Sequence, residues 1–352
     1  MANPHETNLG NESSSESESD SDEPEFMDKD EPSDDDQTKN PPKNPPKKII
    51  KPIIKHKRLF GDRPITDYFF ANAKSYNFKT WVDCFPDKNV NLRSLLFNPA
   101  WDDFFDIVGK KPYYKKMERI LSDYLIKDEQ TILPHAELVF NSMNVLSPRQ
   151  IKVIFLGQDP YIAVERIDNK PIPQAMGFSF SVPLNCPKAK SLQNIYANLL
   201  DFGHVPSIPR SGCLIGWILQ GCFMINSAFT TFFGKSNAHA SLWQNFTADL
   251  LAYLNNKHDH LVFLAWGKNA HQLCLKLDPT KHHIITSSHP SPFSYEHTYT
   301  GFAYGKTKNP RNPNDRSRLE YPAFKTTNHF GRINQYLKSV RKSEILWDLI
   351  DF

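Results

Sequence analysis

An α/β fold built on a mostly parallel central sheet is predicted by three features of the sequence. Four short runs are apolar and rich in β-branched and aromatic residues: 151–156 (IKVIFL), 222–225 (CFMI), 261–266 (LVFLAW) and 283–286 (HIIT). Stretches with helical spacing of apolar residues lie between them, and a polar or glycine-containing turn comes after each run. Runs of this kind read as strands buried on both faces. Strands that alternate with helices make a parallel sheet. The expectation is one domain with a four-stranded sheet flanked by helices, preceded by a disordered N-terminal tail.

Residues 1–40 are rich in Ser, Asp and Glu and nearly devoid of apolar side chains. Such a segment cannot bury enough surface to offset its ordering entropy, so an acidic disordered tail is expected there. Residues 1–36 hold fourteen acidic side chains and the single base Lys29, a net −13, whereas the whole chain is +3. Residues 37–352 therefore carry +16, a balance that suits a polyanionic partner. Residues 41–74 read as a basic Pro/Lys linker, beginning PPKNPPKKIIKPIIKHKR. It serves either as a plain spacer or as a nuclear-import or DNA-tethering segment. Within it, Ile65, Tyr68 and Phe69 would share one face of a short helical turn. They are similar to a sliding-clamp-binding peptide, although Asp62 stands where such peptides begin with Gln.

The folded domain is expected over residues 75–352. Leu192, Ile195 and Leu199 recur at helical spacing after Ser191, and Trp243, Phe246, Leu250 and Leu254 do so after Ser241. Both serines are expected to cap their helices. Five scattered cysteines without a C-x-x-C pair read as reduced and structural. Their spacing does not suggest an iron–sulfur cluster. No apolar run has the length of a membrane span, and no internal repeat, phosphate loop or metal-ligand spacing stands out.

The chemistry lies just beyond the end of each strand. GQDPY comes after the first, Asn226 after the second, Gly267-Lys268 after the third and SSHPSP after the fourth. In open α/β sheets, ligands bind beyond the carboxyl ends of the strands. Taken singly, Asp-Pro is a turn pair, a lone His is a structural group and Asn226 is a strand-end cap. Together they bring a carboxylate, an amide and an imidazole to one sheet edge.

The ordered set GQDPY (157–161), QAMGFSFSVP (174–183), INSAFTT (225–231), LAWGKNAHQ (264–272) and HPSPFS (289–294) resembles that of the family 1 uracil-DNA glycosylases. The resemblance spans about residues 95–350 and implies a base-flipping hydrolase that uses neither metal nor cofactor. It implies that Phe180 stacks on uracil, Asn226 pairs with its O4 and N3–H, and Tyr161 excludes the thymine methyl group. Gln158 shapes the pocket, chiefly through its backbone. Asp159 stabilises the oxocarbenium-like sugar and positions water, and a neutral His289 hydrogen-bonds O2 of the leaving uracil. DNA contacts are expected from Ser191, Gly267, Lys268, Ser291, Phe293 and Ser294. Phe293 stands where the family wedges a Leu into the duplex, and Lys268 replaces a Ser.

Two stretches, 162–173 and 295–323, are longer than in the family. With the long tail, they are similar to features of enzymes from large DNA viruses. The resemblance implies a monomer acting on uracil-containing DNA, single- or double-stranded. It would work in a nucleus, or at a cytoplasmic replication site if viral. Two rivals are a glycosylase for another damaged base and a replication factor with vestigial catalysis. Tyr161 and Asn226 argue against the first, Asp159 and His289 against the second.

Overall fold

The structure, a computed structural model, describes residues 72–305 and 317–348. The acidic tail, most of the linker and the peptide around Ile65, Tyr68 and Phe69 lie outside the described residues. The described chain opens with helical elements, α1 (Trp81–Cys84), α2 (Asp102–Val108) and α3 (Pro112–Lys127). β1 (Ile132–Leu133), α4 (Asn141–Val145), β2 (Val153–Gly157), β3 (Val164–Ile167) and β4 (Lys170–Pro173) come next. Then come α5 (Lys190–Asp201), α6 (Ile215–Ile218), β5 (Cys222–Asn226), β6 (Thr231–Phe232) and α7 (Ala240–Lys257). The chain closes with β7 (Val262–Trp266), α8 (Gly267–Cys274), β8 (His283–Ser287), β9 (Tyr299–Phe302), β10 (Arg318–Tyr321) and α9 (His329–Ser339).

The four expected strands form one sheet in the order β5-β2-β7-β8, and every neighbouring pair is parallel. Successive side chains point to opposite faces of a strand, and both faces are covered. Ile154, Leu156, Phe223, Ile225, Phe263 and Ala265 join a cluster with the aromatic residues of α2, α3 and α7. Trp101 stacks on Phe223 at 5.3 Å and Phe104 meets Phe246 edge-on at 5.4 Å. On the other face Phe155 packs on Trp217 and Trp266.

Local details depart from the sequence expectation in two ways. The first strand begins at Val153, because Ile151 closes the short turn Pro148–Gln150 and its N–H donates to the Pro148 carbonyl. Neither serine caps its helix. α5 begins at Lys190 after Ala189, and α7 begins at Ala240 after His239, with no side-chain cap bond at either. Each serine lies one residue inside, where burial of Leu192, Ile195, Trp243 and Phe246 anchors the helix instead.

Both long insertions hold regular structure. Residues 162–173 carry the antiparallel hairpin β3–β4. Its turn residues Asp168 and Asn169 have φ of 49° and 63°, the left-handed pair that a two-residue hairpin turn requires. Residues 295–323 carry the antiparallel pair β9–β10. The five cysteines are unpaired, and all but Cys84 are buried.

Candidate active site

The carboxyl ends of β2, β5, β7 and β8 open into a cleft of about 630 Å³, and all twelve residues singled out from the sequence line it. A volume of this size fits a flipped nucleotide rather than a flat contact.

Asp159 follows β2 and is partly buried. Its Oδ2 accepts the Asn237 N–H at 2.6 Å and the Ser236 hydroxyl at 3.0 Å. Burial raises the carboxyl pKa above its ordinary value, and these two bonds pull it part of the way back. Both bonds fall on Oδ2, which leaves Oδ1 available to a water. Gln158 turns its side-chain amide to the Asn237 Oδ1. Its carbonyl accepts the Ser227 hydroxyl at 2.6 Å and the Ala228 N–H at 3.0 Å. Backbone contacts through Gln158 thus clamp the end of β2 to the end of β5.

Asn226 ends β5 directly opposite Gly157. A Cβ at position 157 would lie 2.2 Å from the Asn226 Oδ1, so only glycine there leaves room for the amide. Phe180 is buried and sits at φ 63°, a conformation that strains a bulky residue by about 1–3 kcal/mol. The Tyr161 hydroxyl donates to the Phe180 carbonyl at 3.0 Å and holds that conformation in place. The Phe180 ring rests edge-on against Trp266 at 5.5 Å and lies 6.0 Å from the His289 ring. Nearby, Gly177 takes φ 77°, and a Cβ on it would lie 1.8 Å from the Leu138 carbonyl oxygen.

His289 follows β8. Burial pushes its imidazole down to about 4, so the ring is neutral at neutral pH. Its Nδ1 lies 3.0 Å from the Ser291 N–H. A backbone N–H can only donate, so Nδ1 accepts and the ring proton sits on Nε2. Gly267 packs against this residue, and a Cβ there would come 3.0 Å from the His289 Cβ. Gly267 is itself buried, so the structure gives it a packing role beside the histidine in addition to its place in the cleft wall.

The remaining residues form the rim. Lys268 is exposed, and Ser191, Ser291 and Ser294 are partly buried. Phe293 is 91% exposed, an unusual state for a phenylalanine and one that burial cannot explain. The loop carrying it is tied down from both sides. The Asn194 side chain donates to the Pro290 carbonyl at 2.7 Å, and the Ser294 and Tyr295 N–H groups return to the Ser291 carbonyl.

The sequence matches the model of the uracil DNA glycosylase superfamily over residues 143–338. The chain belongs to that superfamily.

It is 53% identical over 295 residues to the probable uracil-DNA glycosylase of Acanthamoeba polyphaga mimivirus, covering 84% of this chain and 76% of that one. It is 33% identical to a Campylobacter jejuni uracil-DNA glycosylase over 74% of this chain and 98% of that protein. The crystal structure of mimivirus uracil-DNA glycosylase superposes with a TM-score of 0.77 at 52% identity, covering 82% of this chain and all of that one. The chain is thus a uracil-DNA glycosylase, a monofunctional hydrolase of the N-glycosidic bond that begins base excision repair.

Several residues that shape this glycosylase site carried no sequence signal strong enough to single them out. Ser236 and Asn237 orient Asp159 from a loop between β6 and α7. Asn237 has φ 61°, and the Gly-Lys-Ser-Asn run at 234–237 is a turn signal that could have marked the loop. Trp266 supports Phe180 from the last position of β7. His297, Thr298 and Tyr299 bring one of the insertions into the cleft wall. Among the described residues there is no group of three His, Cys, Asp or Glu arranged to hold a metal, and no helix is long and apolar enough to cross a membrane.

Proposed function

We propose that Asp159 and His289 divide the glycosidic hydrolysis between them, with Asn226, Phe180 and Tyr161 selecting uracil. The observation that carries this reading is the state of His289, a neutral imidazole whose proton is held on Nε2 by the Ser291 N–H. As the C1′–N1 bond breaks, its electron pair leaves with the base and charge develops on uracil O2. The Nε2–H donates to that oxygen without having to lose a proton first. A preorganised donor of this kind is worth about 10²- to 10³-fold in rate. The positive charge left on the sugar is stabilised by the Asp159 carboxylate. A water positioned by its Oδ1 would add to C1′ through its oxygen and pass a proton to the Asp159 carboxylate.

Selection follows from shape and pairing. No hydrogen bond within the described residues engages the Asn226 amide, so it is free to meet O4 and N3–H of uracil. Cytosine presents the reverse pattern and would leave both groups unpaired in a closed site. Tyr161, held by its bond to the Phe180 carbonyl, fills the space beside C5. Phe293, with Ser191, Lys268, Ser291 and Ser294, would grip the strand and push into the duplex.

The reading extends to the cell. The acidic tail, the basic linker and the peptide at Ile65, Tyr68 and Phe69 suit a monomeric enzyme tethered to a replication clamp. It would work in a nucleus or at a cytoplasmic replication site. A test of the chemistry is base release from an oligonucleotide with one uracil, run with EDTA, with thymine and cytosine controls and with Asp159→Asn. Rapid uracil-only release that survives EDTA and collapses in the variant is the expected result. Full activity of Asp159→Asn would overturn the assignment. Loss of clamp binding on Tyr68→Ala and Phe69→Ala together would test the tether.

A further inference from the structure

We propose that Tyr299, on the inserted hairpin β9–β10, is a stacking platform for a nucleotide of the uracil-bearing strand outside the flipped position, with Lys268 beside it for a phosphate. The proposal rests on reading the cleft as the uracil site. Tyr299 lines that cleft together with Asp159, His289 and Lys268, and it is partly exposed.

Its setting is built rather than incidental. The Tyr299 hydroxyl lies 3.0 Å from the Nδ1 of buried His271 on α8, and the His271 Nε2 lies 2.8 Å from the Phe302 carbonyl. A carbonyl only accepts, so Nε2 carries the proton and the tyrosine O–H donates to Nδ1. At Gly301 the hairpin backbone comes so near the same ring that a Cβ would lie 2.5 Å from its Cε1. Tyr321 of β10 stacks on Tyr299 at 5.4 Å and 27°, and the Tyr304 hydroxyl bonds Thr286 of β8 at 2.6 Å. The hairpin is fastened to α8 and β8, and the ring is oriented before a ligand arrives.

His271 lies one helical turn from Lys268, on the same side of α8. Tyr299 and the exposed ammonium of Lys268 therefore meet the cleft together. The hydroxyl is engaged with His271, so the ring offers a base its aromatic surface. An aromatic platform beside a cation is how single strands are held without sequence preference.

The test compares wild type, Tyr299→Leu and Tyr299→Phe on a uracil-containing trinucleotide and on longer single-stranded and duplex oligonucleotides. For Tyr299→Leu, KM is expected to rise about tenfold on both longer substrates, equivalent to about 1.4 kcal/mol. On the trinucleotide, too short to reach beyond the immediate neighbours of the flipped position, kcat/KM is expected to fall much less than on the longer substrates. Tyr299→Phe keeps the ring and should retain a KM close to wild type. An equal loss on all three substrates would mean a structural role and overturn the proposal, as would unchanged KM throughout or a loss confined to duplex. Asp159→Asn separates the two readings, because its failure to reduce trinucleotide cleavage would sink the catalytic assignment and leave the Tyr299 comparison intact.

Discussion

The neutral state of His289 makes a sharp statement about acid pH. Burial holds its imidazole near 4 instead of the ordinary 6.5. At pH 5.5 a ring with a pKa of about 4 is about 97% neutral, whereas an ordinary histidine is about 9% neutral, a tenfold difference in competent enzyme. The rate of uracil release, followed as kcat/KM from pH 8 downward, should therefore stay level through about pH 6.5. The loss of rate due to His289 should come only as pH falls toward about 4, and protonation of Asp159, whose pKa burial raises, acts in the same direction. Stability has the same sign. With a folded-state value below the unfolded one, the unfolded chain binds the proton first as pH falls. The contribution is complete above about pH 6.5 and lost between there and about pH 4, costing about 3 kcal/mol in all for this one group. An NMR titration of the His289 ring checks the cause directly. A midpoint near 6.5, matched by an inflection in the rate that His289→Asn removes, would refute the reasoning.

The geometry carries three further expected outcomes. Tyr161→Ala opens the space beside C5 and frees the Phe180 carbonyl, so thymine release should rise at least about tenfold over wild type while uracil release falls; an unchanged thymine rate would count against Tyr161 as the barrier. Phe293→Ala removes an exposed side chain with little buried area, so Tm should hardly move. Activity on duplex should nevertheless drop about 10- to 100-fold, in line with the few kcal/mol needed to unstack a base step; an equal drop on single strands would end the wedge role. Ser236→Ala removes one of the two bonds to the Asp159 carboxylate. The carboxyl pKa should rise further and the acid limb of the rate profile should move to higher pH. The rate at neutral pH should fall about fivefold, equivalent to about 1 kcal/mol, and Ser236→Thr should restore both.

The sheet was readable because its strands are buried on both faces, and such burial demands unbroken apolar runs of a few residues. The site was readable for a related reason. A parallel sheet delivers every strand end to one edge, so Asp159, Asn226, Gly267 and His289 could be assigned to one place before any contact was known. The helix starts were less legible, because Ser191 and Ser241 have the chemistry of caps but the helices begin one residue earlier, anchored by tertiary packing. The contacts of Ser236 and Asn237 with Asp159, and of Trp266 with Phe180, were not legible, although a turn signal marks the loop at 234–237. Ser236, Asn237 and Trp266 act across long sequence separations, and nothing in their own neighbourhood announces the partner. The insertion at 295–323 could be recognised as extra length, but its hold on His271 depends on Gly301, whose need for close approach appears only in three dimensions.

The bond from the Ser291 N–H to His289 comes from the main chain, not from a side chain. The tautomer on which catalysis depends is therefore insulated from most mutation at the position that sets it. Nearly any residue at 291 brings the same donor. Only proline lacks the donor, and Ser291→Pro should release the ring proton to either nitrogen and lower kcat well beyond the effect of Ser291→Ala. A chain that drifts freely through the rest of this loop still keeps its proton on the right atom.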